Sequence, residues 1–360
     1  MNASTEQPEN RRTGARLLRL LVLLVLIALL AVAIMLDRYR KFQDTALALP
    51  EQEMLYTMPA GASLNQLAYD LHAKNIIDYP RFLILLGRET GAARRLQAGE
   101  YILRQGVTPR ILLEQLVAGK VNQYGLTLIE GDTFREMLQR LHDNPVLVHT
   151  LTEDETDAEI MAKLGHAGEH PEGRFLPDTY YFTRGTSDID FLARAWRAMS
   201  AHLESAWEER EEGLPFKAPE EALILASIVE KETGVAEERP VIAGVFIRRL
   251  QRGMLLQTDP TVIYGMGDKF DGNLRLRDLR ADTPYNTYTR KGLPPTPIAM
   301  PGVDAIHAVL HPAKGKSLYF VAMGEGKHYF SNTLEQHNLA VDKFQKKKKG
   351  IKLPPSGHEQ

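Results

Sequence analysis

Residues 223–264 read LILASIVEKETGVAEERPVIAGVFIRRLQRGMLLQTDPTVIY, and the rest of the chain is organised around this stretch. Leu223 to Val229 is apolar except at Ser227. That run is too saturated for a helix with one buried stripe, so burial on most sides is expected. The run ends in Glu230, Lys231, Glu232, Thr233 and Gly234, with Gly234 placed to be the residue just past the helix end. Both acids then fall in the last helical turn, where the macrodipole disfavours a carboxylate. Burial disfavours the charged form too, so both effects raise a carboxyl pKa. A carboxyl that stays protonated near neutral pH is what a general acid requires. At about 100° per residue, Glu230 and Glu232 project from roughly opposite sides. Glu230 stacks over Ala226 and Glu232 over Ile228. Both rows are apolar, so periodicity does not choose between them. Two acids on a frayed, solvated turn is the plain alternative.

The chain has 360 residues, 44% apolar and 25% charged, which allows two or three folded units with a real core. A formal net charge of −2 gives no general attraction to nucleic acid. There are no cysteines, which excludes a disulfide framework and thiolate chemistry. Leu20 to Leu36 is an unbroken apolar run of 17 residues, preceded by Arg11, Arg12, Arg16 and Arg19. Counted from Leu17 it approaches the roughly 20 residues of a spanning helix. Ala31-Val32-Ala33 resembles a cleavage site, but the run continues beyond it and exceeds the roughly 7–15 residues of a signal core. An uncleaved single-pass anchor over 17–36 is expected, with residues 1–16 as a disordered cytoplasmic tail. Arg38, Arg40 and Lys41 on the far flank weaken the positive-inside signal.

Residues 37–53 read as a juxtamembrane stalk. A first small unit over 54–120 is expected in strand–helix–helix–strand order. Its signals are a strand at Met54–Met58, a capping box at Ser63-Leu64-Asn65-Gln66 and a helix start at Pro80. A strand at Ala98–Leu103 and a further helix over 111–118, ended by Gly119, complete it. A larger mixed unit over 121–345 follows, making the fold class α+β. It opens with a strand at Leu126–Glu130 and a helix after Thr133, whose partner Glu136 completes a capping box. Residues 143–172 are polar and read as a surface excursion. Phe191 to Arg210 and Val241 to Leu250 read as helices, and Val262 to Tyr264 as a short strand. A hairpin over 317–331, a closing helix at Leu334–Phe344 and a solvated basic tail over 346–360 finish the chain. His307 and His311 have the spacing of a metal pair, but zinc wants three or four protein ligands and no HExxH is present, so packing is the better reading.

IVEKET followed by ERPVIAGVFIRRLQRGMLLQTDPTVIYGMG resembles the endolytic murein transglycosylase (MltG, or YceG-like) family. EGRFLPDTY from Glu172, YNTY from Tyr285 and GLPPTPI from Gly292 resemble further strings of that family, with Leu176 a departure from its pattern. The resemblance implies a periplasmic body anchored in the inner membrane, and a first unit like a LysM module, which binds N-acetylglucosamine-containing glycans. It implies that Glu230 is the catalytic acid. The substrate is then peptidoglycan, cut within nascent strands between N-acetylmuramic acid and N-acetylglucosamine to leave 1,6-anhydro ends. Gln257, Asp259, Tyr285, Asn286 and Tyr288 are the candidate substrate-binding residues, since such side chains suit amino-sugar hydroxyl and N-acetyl groups. Each could instead cap a turn or brace a loop. No metal or organic cofactor is implied, and peptidoglycan synthases are possible partners. Two rival readings stand beside this one: a non-catalytic anchored glycan-binding protein, and a hydrolase that pairs Glu230 with Asp259.

Overall fold

A single helix, α1 (Glu9–Asp44), opens the computed structural model, which describes residues 9–357. From Arg16 onward it is long and apolar enough to cross a membrane, and its apolar residues are exposed. The helix does not stop at a stalk. It runs to Asp44, and Tyr39 and Leu47 are buried in the core of the first unit. Residues 37–53 are therefore part of that folded unit, because Tyr39, Phe42 and Leu47 supply apolar surface that the small core covers. Of the expected disordered tail, residues 9–16 are helical. Helix begins at Glu9, and residues 1–8 lie outside the described residues.

The first unit ends at Gln123. Its elements are β1 (Glu53–Met58), α2 (Leu64–Ala73), α3 (Pro80–Glu89), β2 (Gly99–Arg104) and α4 (Pro109–Ala118). Ser63 and Gln66 close the capping box that starts α2, and Thr108 caps α4, which ends on a left-handed Gly119. Strands β1 and β2 pair antiparallel from Glu53–Arg104 to Met58–Gly99. Leu67, Leu71, Leu83, Leu103 and Leu112 fill the space beneath them.

The second unit starts at Tyr124. Strand β3 (Tyr124–Thr127) lies earlier than the sequence suggested, because its ladder partner β4 (Thr179–Phe182) pairs only with residues 124–127. Between them come α5 (Phe134–His142) and α6 (Asp157–Lys163). The expected excursion over 143–172 is thus partly core: Leu147, Ile160 and Met161 are buried together with Phe175, which stacks on Phe134.

Helices α7 (Asp188–Glu208), α8 (Pro219–Glu232) and α9 (Arg239–Gln251) follow. Then come α10 (Asp259–Met266), α11 (Leu276–Arg280) and α12 (Val303–Leu310). Helix α8 is buried from Leu225 to Val229 against α9 and α12, as its saturated sequence requires. Its end differs from expectation. Thr233 is extended, with φ of −148°, and Gly234 is not left-handed, so the chain leaves the helix straight. Residues 262–264 lie in α10 and not in a strand. Asp259-Pro260 opens that helix, with the proline placed where a first-turn N–H is dispensable. Strands β5 (Tyr319–Gly324) and β6 (Lys327–Ser331) form the expected hairpin, and α13 (Leu334–Phe344) closes the unit. The tail beyond it folds back: Tyr329 donates its hydroxyl to Pro354 O, and Phe330 N donates to Ser356.

Candidate active site

The end of α8 has two faces with different neighbours. On one, the Glu230 carboxylate accepts the Gly302 amide at 2.9 Å and lies 3.7 Å from Arg239 Nη2. Arg239 also approaches Glu130 at 3.9 Å and Asp304 at 3.3 Å. The Glu230 side chain is only 6% exposed, and burial raises its pKa, with the Gly302 amide and Arg239 opposing. A Cβ on Gly302 would meet only the carboxyl end of the exposed Glu130 side chain, which is free to swing aside.

On the other face, Glu232 borders a cavity of about 500 Å³. Gln257, Asp259, Tyr288, Arg249 and His328 line it as well. Burial raises the Glu232 carboxyl to about 6, and the nearby Asp259 charge adds to the rise. The Thr258 hydroxyl donates to Glu232 Oε1 and acts in the opposite direction. Thr258 is itself fixed. Its amide donates to Thr287 Oγ1 at 3.1 Å, and Thr261 Oγ1 donates to its carbonyl at 2.8 Å. The two loops that carry QTDPT and YNTY thus meet through three buried threonines beneath Glu232.

Gln257 has φ of 50°, a left-handed conformation uncommon outside glycine. Its amide donates to Thr287 O at 3.1 Å, which holds this strained turn at the rim of the cavity. Tyr288 donates its hydroxyl to Asp259 Oδ1 at 2.5 Å, so these two side chains form one polar wall.

The other two candidates do not line the cavity. Asn286 is fully buried, with its amide donating to the carbonyls of Leu279 and Ala281 and its Oδ1 accepting from Tyr288 N. It braces the loop that presents Tyr288. Tyr285 packs edge-on against Tyr264, with ring centres 4.9 Å apart, and its hydroxyl meets Thr296 at 2.8 Å. Both follow the loop-bracing alternative, because a turn this irregular must satisfy its carbonyls internally. Of the residues the sequence left unremarked, Thr258, Arg249 and His328 belong to the site. Thr258 sits beside Asp259 in a string already singled out, whereas nothing local marked the other two.

Glu172 is a third buried acid, 3% exposed, and burial raises it to about 7. It accepts from the Phe134 amide at 2.9 Å and from the Tyr264 hydroxyl at 3.0 Å. His307 and His311 stack on each other, with ring centres 4.4 Å apart.

Residues 56–343 match the model of the YceG-like family. The chain belongs to the YceG-like family. It is 29% identical over 304 residues to a protein of Bacillus subtilis named endolytic murein transglycosylase, covering 80% of this chain and 83% of that relative. A Streptococcus pneumoniae protein of the same name is 27% identical over 340 residues. The match takes in 84% of this chain and 61% of the pneumococcal protein's length. A crystallised YceG-like protein of Listeria monocytogenes superposes with a TM-score of 0.51 at 29% identity, over 80% of this chain and 98% of that one. The family match extends across both units, so the cavity beside Glu232 is read within a YceG-like frame.

Proposed function

We propose that this YceG-like chain is an endolytic peptidoglycan transglycosylase whose general acid is Glu232. The observation that carries the assignment is that Glu232 is the acid of the IVEKET pair that borders the cavity, where burial keeps it protonated to about pH 6. Glu230, the acid the family resemblance first suggested, is already committed to Gly302 and Arg239. Gln257, Asp259 and Tyr288 are proposed to hold sugar hydroxyl and N-acetyl groups along the same cavity.

The reaction needs one carboxyl. Glu232 gives its proton to the N-acetylglucosamine O4 as the C1–O4 bond of N-acetylmuramic acid breaks. The muramoyl O6 bonds to C1, and its proton passes to the Glu232 carboxylate, which restores the acid. The nucleophile belongs to the substrate, so the step has the advantage of an intramolecular reaction.

The exposed apolar helix supports an anchor in the inner membrane, N-terminus cytoplasmic, with residues 121–345 as the catalytic domain in the periplasm. The β1–α2–α3–β2 order supports a LysM-like role for residues 54–120 in gripping glycan near nascent strands. Peptidoglycan synthases are the proposed partners. A second reading rests on Asp259: its charge reaches Glu232, and two carboxyls in one cavity suit a hydrolase. Mass spectrometry of peptidoglycan digested by the wild type, Glu232→Gln and Glu230→Gln separates these. Anhydro ends from wild type and Glu230→Gln but not from Glu232→Gln support the proposal. Reducing ends support hydrolysis, and loss in Glu230→Gln alone returns the role to Glu230.

A further inference from the structure

The cavity holds a second group able to exchange hydrogen bonds with a substrate, and its setting is built with care for orientation. His328 on β6 is 11% exposed at its side chain yet borders the same cavity as Glu232. Glu238, in the turn that leads into α9, grips it twice. Its Oε1 accepts the His328 amide at 2.8 Å and its Oε2 meets Nδ1 at 2.7 Å. Glu238 is itself buried, 8% exposed. The ring is flanked by Phe320, edge-on with ring centres 5.4 Å apart, and by Phe330 at 6.5 Å. In the neutral ring, a carboxylate at Nδ1 holds the proton there and leaves Nε2 as an acceptor on the opposite edge.

A buried carboxylate that spends both oxygens on one histidine fixes the position of that ring more firmly than packing alone. The reaction has a use for such an acceptor. While Glu232 carries the proton destined for O4, one of its oxygens is a donor and the other, Oε1, already accepts from the Thr258 hydroxyl. Asp259 already takes the Tyr288 hydroxyl on Oδ1. We propose that His328 Nε2 accepts a hydrogen bond from the C6 hydroxyl and turns O6 toward C1, with Glu238 as the positioning residue behind it. His328 neither gains nor loses a proton overall. The C1–O4 bond breaks, the C1–O6 bond forms, O4 receives the Glu232 proton, and the O6 proton returns to Glu232. The function of the pair is to favour the substrate's own hydroxyl over water.

This inference rests on Glu232 as the acid, and Glu232→Gln tests that separately through the loss of all cleavage products. The test of the histidine uses the full-length protein in detergent on purified peptidoglycan, with anhydro and reducing ends counted by mass spectrometry. His328→Asn keeps an amide where Nδ1 was, preserving the bond to Glu238, and removes the acceptor at Nε2. It is expected to melt near the wild type, to slow cleavage about 10- to 100-fold, and to raise the share of reducing ends. Glu238→Gln is expected to shift the same ratio less, and to add nothing in the His328→Asn background. A wild-type product ratio in His328→Asn would overturn the proposal. So would additive effects of the two substitutions, with rates that only follow the folded fraction. That result would make the pair a clamp between the α9 turn and the β5–β6 hairpin.

Discussion

Glu230 and Glu232 leave the same helical turn, are both raised by burial, and meet different fates. Glu230 is sealed by a backbone amide and a guanidinium. Glu232 receives one hydroxyl, from Thr258, and otherwise borders a cavity. A raised carboxyl pKa therefore does not by itself mark catalysis. What separates the two is whether the hydrogen-bonding capacity is already used within the fold or is left facing space that a substrate can enter.

The largest effect is expected at Glu232. Glu232→Gln should lower the rate of anhydro-end formation by about 10²- to 10⁴-fold while leaving the melting temperature near or above that of the wild type. Because the active form is protonated, the wild-type rate should fall as pH rises through about 6. That limb should be absent from a substituted protein that retains residual activity. A wild-type rate in Glu232→Gln would end the distinction drawn between the two acids.

Glu172 provides a third buried acid to set beside them, sealed like Glu230. Its folded pKa of about 7 lies above the ordinary carboxylate value of 4.5. A raised carboxyl favours the fold while it is protonated. Its contribution is therefore full below pH 4.5 and lost as pH rises through about 7. Glu172→Gln should remove about 3 kcal/mol of pH-dependent stability loss between pH 5 and 8, read from denaturant unfolding at both values. Activity per folded molecule should hold. A collapse of activity instead would make Glu172 part of the chemistry.

Glu230→Ala should strand the Gly302 amide and leave Arg239 without its most buried partner. The expected cost is about 1–3 kcal/mol of stability. Activity per folded molecule should stay within a few-fold of the wild type. The smallest change is expected from Tyr288→Phe, which removes the hydroxyl held by Asp259. A KM increase of about 2- to 10-fold with kcat little altered fits a wall that binds sugar without reacting. An unchanged KM would confine Tyr288 to a supporting role.

Much of the framework was legible because it is locally encoded. Ser63 with Gln66 and Thr133 with Glu136 satisfy amides within one turn, so a four-residue pattern marks each helix start. The hairpin at β5–β6 and the helix at Leu334–Phe344 carry their own period and turn residues. Residues 262–264 are helical where a strand is expected, because a short apolar run suits a strand or a buried helix equally. Asp259-Pro260 is the local signal for the helix start there. Tyr39 and Leu47 looked like a stalk because nothing near them in sequence covers them; residues from later in the first unit do.

The sequence by itself determined that α8 is buried and that it ends in two acids in its last turn. Those are consequences of composition and period along one helix. The sequence left open whether those acids are buried or solvated. Which acid faces the cavity was decided only by tertiary structure. Glu232 finds Thr258 26 residues on, and Glu230 finds Gly302 72 residues on. Both acids stack over equally apolar rows, so no local rule distinguishes them. Only the packing of the 258–260 and 300–302 segments against opposite sides of the same turn leaves one side sealed and the other open.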